Sequence, residues 1–390
     1  MKFIKRVATT LDIEELLGLY WSSYGEDYPL SLGTDKRVMF SAINDPENFY
    51  WLIIRDEENN NLAASCIVEI DRKDRIGKVT GVTVSKNYRG HGLAKEIIGD
   101  VCHEILDRRE WVKSLYATSR TVSVSAQSML LANGFVPLGI FPNARKIRSY
   151  ESLTLMGKFS DLALANRAPV EKLPQSLQSI YEILDERLGT NSALGTLTQC
   201  PEIYKVKNSD SESESRERSE YEFIFAPKFV ERRFQETFCK EGDDVFYPFH
   251  HPNLLIANQD KDIELYASFS KKDHYCVIMS ANQPISSLGN EIKDLIFAMK
   301  EIGIYYIETL VRVDHFNAIC FLTHNRFLPS AIYPAMKEHD GKMHDYVLLT
   351  RTMVPLDFSE LHIHHSFRPY LEQYTKMWID VNLKSFEVDR

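Results

Sequence analysis

The stretch Gly81-Val82-Thr83-Val84-Ser85-Lys86-Asn87-Tyr88-Arg89-Gly90-His91-Gly92-Leu93-Ala94-Lys95 decides the fold. Its Val-Thr-Val run reads as a strand ending at Val84. A short loop, Asn87–Gly92, follows, and a helix opens at Leu93. Glycines at 90 and 92 remove side chains where the backbone must bend and where a ligand would approach. The first turn of the helix offers unpaired N–H groups at the positive end of the helix dipole, a site suited to a pyrophosphate, and Arg89 adds charge. Three phosphate-loop classes compete for this reading. A Walker A loop needs Gly-Lys-Ser/Thr, which is absent. A dinucleotide fingerprint needs a third glycine at 95, where Lys95 stands.

Working outward, residues 1–160 alternate strand and helix signals. Ile13, Leu16, Leu17 and Tyr20 fall at helical spacing. Tyr50–Arg55, Ala64–Ile70 and Val79–Val84 read as strands. Leu93–Leu106 is expected to be an amphipathic helix, because Ile97, Ile98, Val101, Cys102, Ile105 and Leu106 share one face. Leu115–Thr118 and Tyr150–Lys158 are further strands, with a helix over Ser125–Ala132 between them. That helix runs Ser123-x-x-Ala126-x-x-x-Leu130 into Asn133-Gly134-Phe135.

Together these two segments resemble the GNAT superfamily of N-acetyltransferases. The family's strand–helix loop reads Gln/Arg-x-x-Gly-x-Gly/Ala, here Asn87-x-x-Gly90-x-Gly92. Its second motif, Asn-x-x-Ala-x-x-x-Tyr ending in Gly-Phe, is matched at Ala126, Gly134 and Phe135; Ser123 and Leu130 replace the asparagine and the tyrosine. The resemblance implies an α/β (α+β) fold whose mixed, mainly antiparallel sheet splays to admit acetyl-CoA or another acyl-CoA. Val82, Thr83 and Val84 would pair with the pantetheine. Arg89, Gly90, His91, Gly92, Leu93 and Ala94 would hold the pyrophosphate, and Ser123 would lie at the cofactor. A primary amine of a small molecule or peptide would attack the thioester directly. The family's usual proton donor is missing at Leu130. Its usual strand glutamate is missing from residues 80–84, which leaves Glu69 on the preceding strand as the substitute base. Tyr20, Tyr24 and Tyr28 fall in the region that lines the acceptor site in this family.

The second half carries the same kind of pattern. Shifted by 192, Arg120–Pro142 lies on Arg312–Pro334 with eight of 23 positions identical and no gap. Chance would give roughly one or two, so an internal duplication is expected. At that offset the phosphate loop falls on Ser280–Ile285, which has no glycine and has Pro284 where an N–H is needed. The expected organisation is an acyl-CoA-binding domain over 1–160 and a helical bridge with an acidic linker over 161–220. A degenerate GNAT-like domain over 221–358 and a docked terminal helix over 359–390 complete it. The linker expectation rests on Asn208–Glu222, with five serines and no aliphatic residue. The helix rests on the stripe Phe367, Tyr370, Leu371, Tyr374, Met377, Trp378 and Val381.

A formal net charge of -9 argues against a broad nucleic-acid footprint. No apolar run approaches ~18 residues, so no membrane-spanning helix is expected. Six scattered cysteines without a CxxC argue against a disulfide framework and a zinc ribbon, and fit a reducing cytoplasm. His250-His251 and His362-x-His364-His365 lack neighbouring acids or cysteines, so no metal is expected. The rival to an enzyme is a non-catalytic acyl-CoA-binding or interaction module, motivated by Leu130 and the degenerate second half. Thiol release from acetyl-CoA with a panel of amines separates the two.

Overall fold

The computed structural model describes the chain except residues 26–27, 29, 148, 191–194, 205–218, 239–244, 259–261 and 384–390. In the first half the strands are β1 (Phe3–Val7), β2 (Phe49–Asp56), β3 (Leu62–Asp71), β4 (Ile76–Val84), β5 (Ser114–Arg120), β6 (Val136–Lys146) and β7 (Tyr150–Phe159). Two short parallel strands, β8 (Lys172–Pro174) and β9 (Thr196–Thr198), stand apart. The second half supplies β10 (Tyr221–Ile224), β11 (Leu254–Asn258), β12 (Glu264–Ser270), β13 (Tyr275–Ala281), β14 (Tyr306–Arg312), β15 (Leu328–His339) and β16 (Lys342–Thr352). The first half's helices are α1 (Ile13–Tyr24), α2 (Ser31–Thr34), α3 (Lys36–Ile43), α4 (Leu93–Cys102) and α5 (Ser125–Leu131). Then come α6 (Asp161–Ala165), α7 (Gln178–Leu188), α8 (Pro227–Phe238), α9 (Glu291–Glu301), α10 (Phe316–His324) and α11 (Arg368–Asn382).

Fourteen strands form one sheet in the order β1-β2-β3-β4-β5-β7-β6-β15-β16-β14-β13-β12-β11-β10. The two halves are thus continuous through a β6–β15 seam, and the order reads the same from either end. Two parallel contacts, β4–β5 and β13–β14, interrupt an otherwise antiparallel ladder. Alternation along β2 sends Leu52 and Ile54 to one face and Trp51 and Ile53 to the other. On the first face the buried stripes of α4, α7 and α9 and the start of α11 close the main core. On the second, α1 and α3 cover the first half and α8 covers β11 and β12.

Irregularities recur at the 192 spacing. The β6/β7 ladder shifts register between Pro137 and Gly139 and between Phe141 and Arg145; the β15/β16 ladder shifts between Pro329 and Ala331 and between Tyr333 and Lys337. Gly134 and Arg326 both take positive φ (81° and 63°), as do Asn143 and Ala335 (59° and 47°). Arg326 therefore holds a left-handed conformation that a β-carbon disfavours, at the position where the first half uses glycine.

Several expectations need correction. The helix expected over Leu93–Leu106 stays α-helical only to Cys102 and widens to a π-helical turn over His103–Arg108. Most of the acidic linker lies outside the described residues, but its end does not: Tyr221 and Glu222 pair with Asn258 and Ala257 as part of β10. Cys200 and Cys320 form a disulfide with Cα atoms 5.2 Å apart, whereas no disulfide was expected. Their 120-residue separation carries no local signal; the packing of α10 brings them together. No helix among the described residues is long and apolar enough to cross a membrane.

Candidate functional site: the cleft between β4 and β5

β4 is held by β3 along its whole length, but by β5 only at Ile76, Gly77 and Lys78. From Val79 onward the edge facing β5 has no strand partner among the described residues. A bulge starts the divergence. Between the pairs Ile67↔Thr80 and Ser65↔Thr83, β4 carries one more residue than β3. Gly81 sits in that bulge with φ 57°, and a β-carbon there would lie 2.8 Å from Ile67 Cδ1 and 2.9 Å from the Tyr20 hydroxyl. Only glycine fits such a position. Val82 and Val84 remain partly exposed along the open edge, while Thr83 is buried with its hydroxyl unpartnered.

The strand runs into a short turn over Lys86–Tyr88 and then the two glycines, with φ 85° at Gly90 and 75° at Gly92. The Tyr88 hydroxyl donates to Asp56 at 3.0 Å, which anchors the turn. Gly92 caps α4 without a side-chain hydrogen bond. No partner among the described residues accepts from the amides of Gly90, His91, Gly92, Leu93 or Ala94. Arg89, Gly90, His91 and Gly92 are exposed, and nothing stands within 4 Å of a β-carbon built on either glycine. A row of free N–H groups at a helix start, next to an unpaired strand edge, is what a pyrophosphate with an extended amide-bearing arm requires. The residues present fit an acyl-CoA.

The three tyrosines come together. Tyr24 and Tyr28 stack with ring centroids 4.2 Å apart, and Tyr28 lies over Tyr20 at 5.8 Å. Tyr20 is fully buried and its hydroxyl donates to the Gly81 carbonyl at 2.7 Å. Tyr24 donates to the Val82 carbonyl at 2.7 Å. The stack thus fastens α1 to the bulge. Burial pushes the Tyr20 and Tyr28 phenols up, so both stay protonated.

Glu69 lies lower on the strand, opposite Lys78, with Lys78 Nζ 3.1 Å from its Oε1. It is therefore level with the last β4–β5 pair and tied to a cation. Ser123 is exposed in the turn before α5 and exchanges hydrogen bonds with Ser125. Leu130 faces the core at 4% exposure, beside Phe135. Tyr116, a tyrosine that the sequence already offers as a stand-in for the missing proton donor, pairs with Lys78 where the strands part and has a buried ring. Sequence reasoning missed Asn133 as a clasp, its amide donating to the Lys95 and Met129 carbonyls and joining α5 to α4.

The second half differs from the expected loss of the loop. β13 ends at Ala281, a 3-10 turn covers Ile285–Leu288, and Gly289 (φ 48°) precedes α9. By strand pairing, β4 runs 38 residues ahead of β5 (Ile76↔Ser114), whereas β13 runs 31 ahead of β14 (Tyr275↔Tyr306). The 192 offset thus becomes 199 at this strand, and Gly289 falls on Gly90. Ser280–Ile285 lies before the loop. Glu291 replaces Gly92, and the first turn of α9 carries Glu291 and Asp294, which oppose an anion.

The parted parallel strand pair and the helix start without a side-chain cap are the two defining features of this α/β domain. Residues 13–135 match the family described as Acetyltransferase (GNAT) family, and this segment is a GNAT acetyltransferase domain. Among solved structures, the chain is similar to an acetyltransferase of the GNAT family from Streptococcus pneumoniae. The identity is 21% over 40% of this chain and 99% of that one, with a TM-score of 0.36. It is also similar to the ribosomal-protein-S18-alanine N-acetyltransferase from Escherichia coli, at 18% identity over 40% and 92%, with a TM-score of 0.34. A spermidine/spermine N-acetyltransferase from Vibrio cholerae shares 14% over 40% and 92%, with a TM-score of 0.35. No curated protein matches the chain.

Proposed function

We propose that the protein transfers an acyl group from acyl-CoA, acetyl-CoA in the first instance, to a primary amine of a small molecule or peptide. The observation that carries this is the departure of β4 from β5 after three pairs, ending at an α4 start whose amides are free. The amides of Arg89–Ala94 hold the pyrophosphate, and Val82–Val84 pair with the pantetheine. A β4 amide near the bulge donates to the oxygen that gains charge as the amine attacks. Tyr116 is placed to protonate the leaving thiolate. Its phenol is kept protonated by burial, first, and then by the nearby Glu69, and it stands where the strands part. The second half is a degenerate copy that does not take the cofactor. The recurring bulges and φ angles support common descent, and the acidic start of α9 supports the loss.

Gly92→Asp is the test. A β-carbon there meets nothing, and aspartate tolerates positive φ better than most residues, so the thermal midpoint stays within a few degrees. The carboxylate faces the phosphate site, and CoA affinity measured by calorimetry drops at least tenfold. Unchanged affinity removes this loop from the site.

A further inference from the structure

The seam between the halves carries a cavity of about 160 Å³. It is walled by β5, β6 and β7 from one half and β13 to β16 from the other. Residues related by the 192 offset line it in pairs: Tyr116 with Glu308, Phe141 with Tyr333, Ala144 with Met336. Lys78, the last β4 residue paired to β5, also lines it, so the cavity begins where the cofactor cleft ends. Its walls are largely aromatic and aliphatic.

One of these pairs is unlike in chemistry, a phenol in one half against an acid in the other. Glu308 is 5% exposed, and three phenols converge on it. Tyr247 and Tyr275 donate to Oε1, the latter at 2.6 Å, and Tyr306 donates to Oε2 at 3.1 Å. None of these donors is a cation, so among the described residues a buried carboxylate faces the cavity without an ion-pair partner, an arrangement that costs stability. Burial pushes the Glu308 carboxyl up while the three phenols hold it down, and burial prevails. The neighbouring titratable groups are Tyr116 on β5, Cys276 on β13, and the cavity-lining His250, Lys78, Arg145 and Asp273. His250, lowered to about 4 by burial and by Lys78, is neutral at ordinary pH. Lys78 is engaged by Glu69, and Arg145 stands 4.0 Å from Asp273.

We propose that this cavity is the acceptor pocket, that it takes a compact primary amine with an aromatic or branched aliphatic body, and that Glu308 is its base. This rests on the acyl-transfer reading above. The ammonium gives one proton to the Glu308 carboxylate, and the freed lone pair attacks the thioester carbonyl carbon. The carbon–sulfur bond breaks, and the amine's second proton ends, by way of Tyr116 or water, on the thiolate. Glu308 returns its proton to solvent. The volume, far below the roughly 300–1,000 Å³ of pockets for drug-sized ligands, limits the body to about one ring. The second half thereby contributes the reacting base, although the first half binds the cofactor.

The probes are benzylamine, its neutral analogue benzyl alcohol and the anion benzoate. Calorimetry without CoA reads the pocket alone. Wild-type protein binds benzylamine at least tenfold more tightly than either analogue, and Glu308→Gln removes that preference. Equal binding of the three, or an unchanged preference in Glu308→Gln, overturns the proposal. In turnover, Glu308→Gln lowers kcat/KM for benzylamine by about 10²-fold or more and abolishes the acidic limb of its pH profile, with CoA affinity unchanged. Tyr275→Phe removes one hydrogen bond from the carboxylate and moves that limb to higher pH. This variant keeps the test open should Glu308→Gln misfold; a limb that stays in place also overturns the proposal. Loss of CoA binding by the wild-type protein defeats the acyl-transfer reading instead, and calorimetry separates the two failures.

Discussion

Leu130 stands where the resembling family carries its proton donor, and its side chain is spent on the core. A tyrosine there must push into the packing around Phe135, so Leu130→Tyr is expected to cost about 1–3 kcal/mol in chemical denaturation. It gives no gain in kcat, because the hydroxyl has no path to the cleft. A rise in turnover at unchanged stability contradicts this placement. The contrast with Gly90 and Gly92 shows what single residues reveal. A glycine needed for φ near 80° leaves its mark in the sequence, because few other residues tolerate that conformation. Glu308 leaves none. It is one acid within Tyr-Ile-Glu-Thr-Leu-Val-Arg, and its burial arises from three tyrosines on separate strands and a loop. Glu69, chosen from sequence because it lies on the adjacent strand, proves to be paired with Lys78.

At the scale of elements, α1 is fixed at both ends by different chemistry. Its C-terminal tyrosines grip the β4 bulge, and its N-terminus is locked by Asp12, 1% exposed. Asp12 accepts from Arg6 at 2.6 and 2.7 Å, from Arg55 at 2.6 Å and from the Thr9 amide at 2.7 Å. These bonds outweigh its burial and hold the carboxyl well below the usual range. Asp12→Ala leaves the buried Arg55 guanidinium with Glu15 and the Asn60 carbonyl alone. The expected loss is about 1.5–3 kcal/mol in urea unfolding. A loss under 1 kcal/mol means the network does not hold the helix. The strands β2 to β5 and the helix α5 were legible from alternation and apolar spacing. β1 was not, because Phe3–Val7 has two cations among only five residues. Neither was the π-helical end of α4, since its apolar stripe continues across the change of pitch.

At the scale of the molecule, the seam rests on one close approach. Gly139 pairs with Ala331, its own counterpart at the 192 offset, and a β-carbon on Gly139 would fall 2.1 Å from the Ser330 carbonyl oxygen. Gly139→Ala must therefore part β6 from β15. It is expected to lower the thermal midpoint by several degrees and to weaken benzylamine binding while CoA still binds, because the parted seam opens one cavity and leaves the β4 cleft intact. Unchanged amine binding separates the seam from the pocket. The sequence repeat announced two similar halves, but joining them into a single sheet depends on contacts between β6 and β15, which no periodicity encodes. The departure of β4 from β5 has one more consequence. Most sheets keep their unsatisfied peptide groups at the outer margins, where charges or short strands guard them. This one carries two such margins in its interior, facing each other across a slot. While the slot is empty, any extended peptide can add itself there as a strand. An acyl-CoA bound as proposed would plug the slot against self-association, and preparations stripped of it should be the first to aggregate.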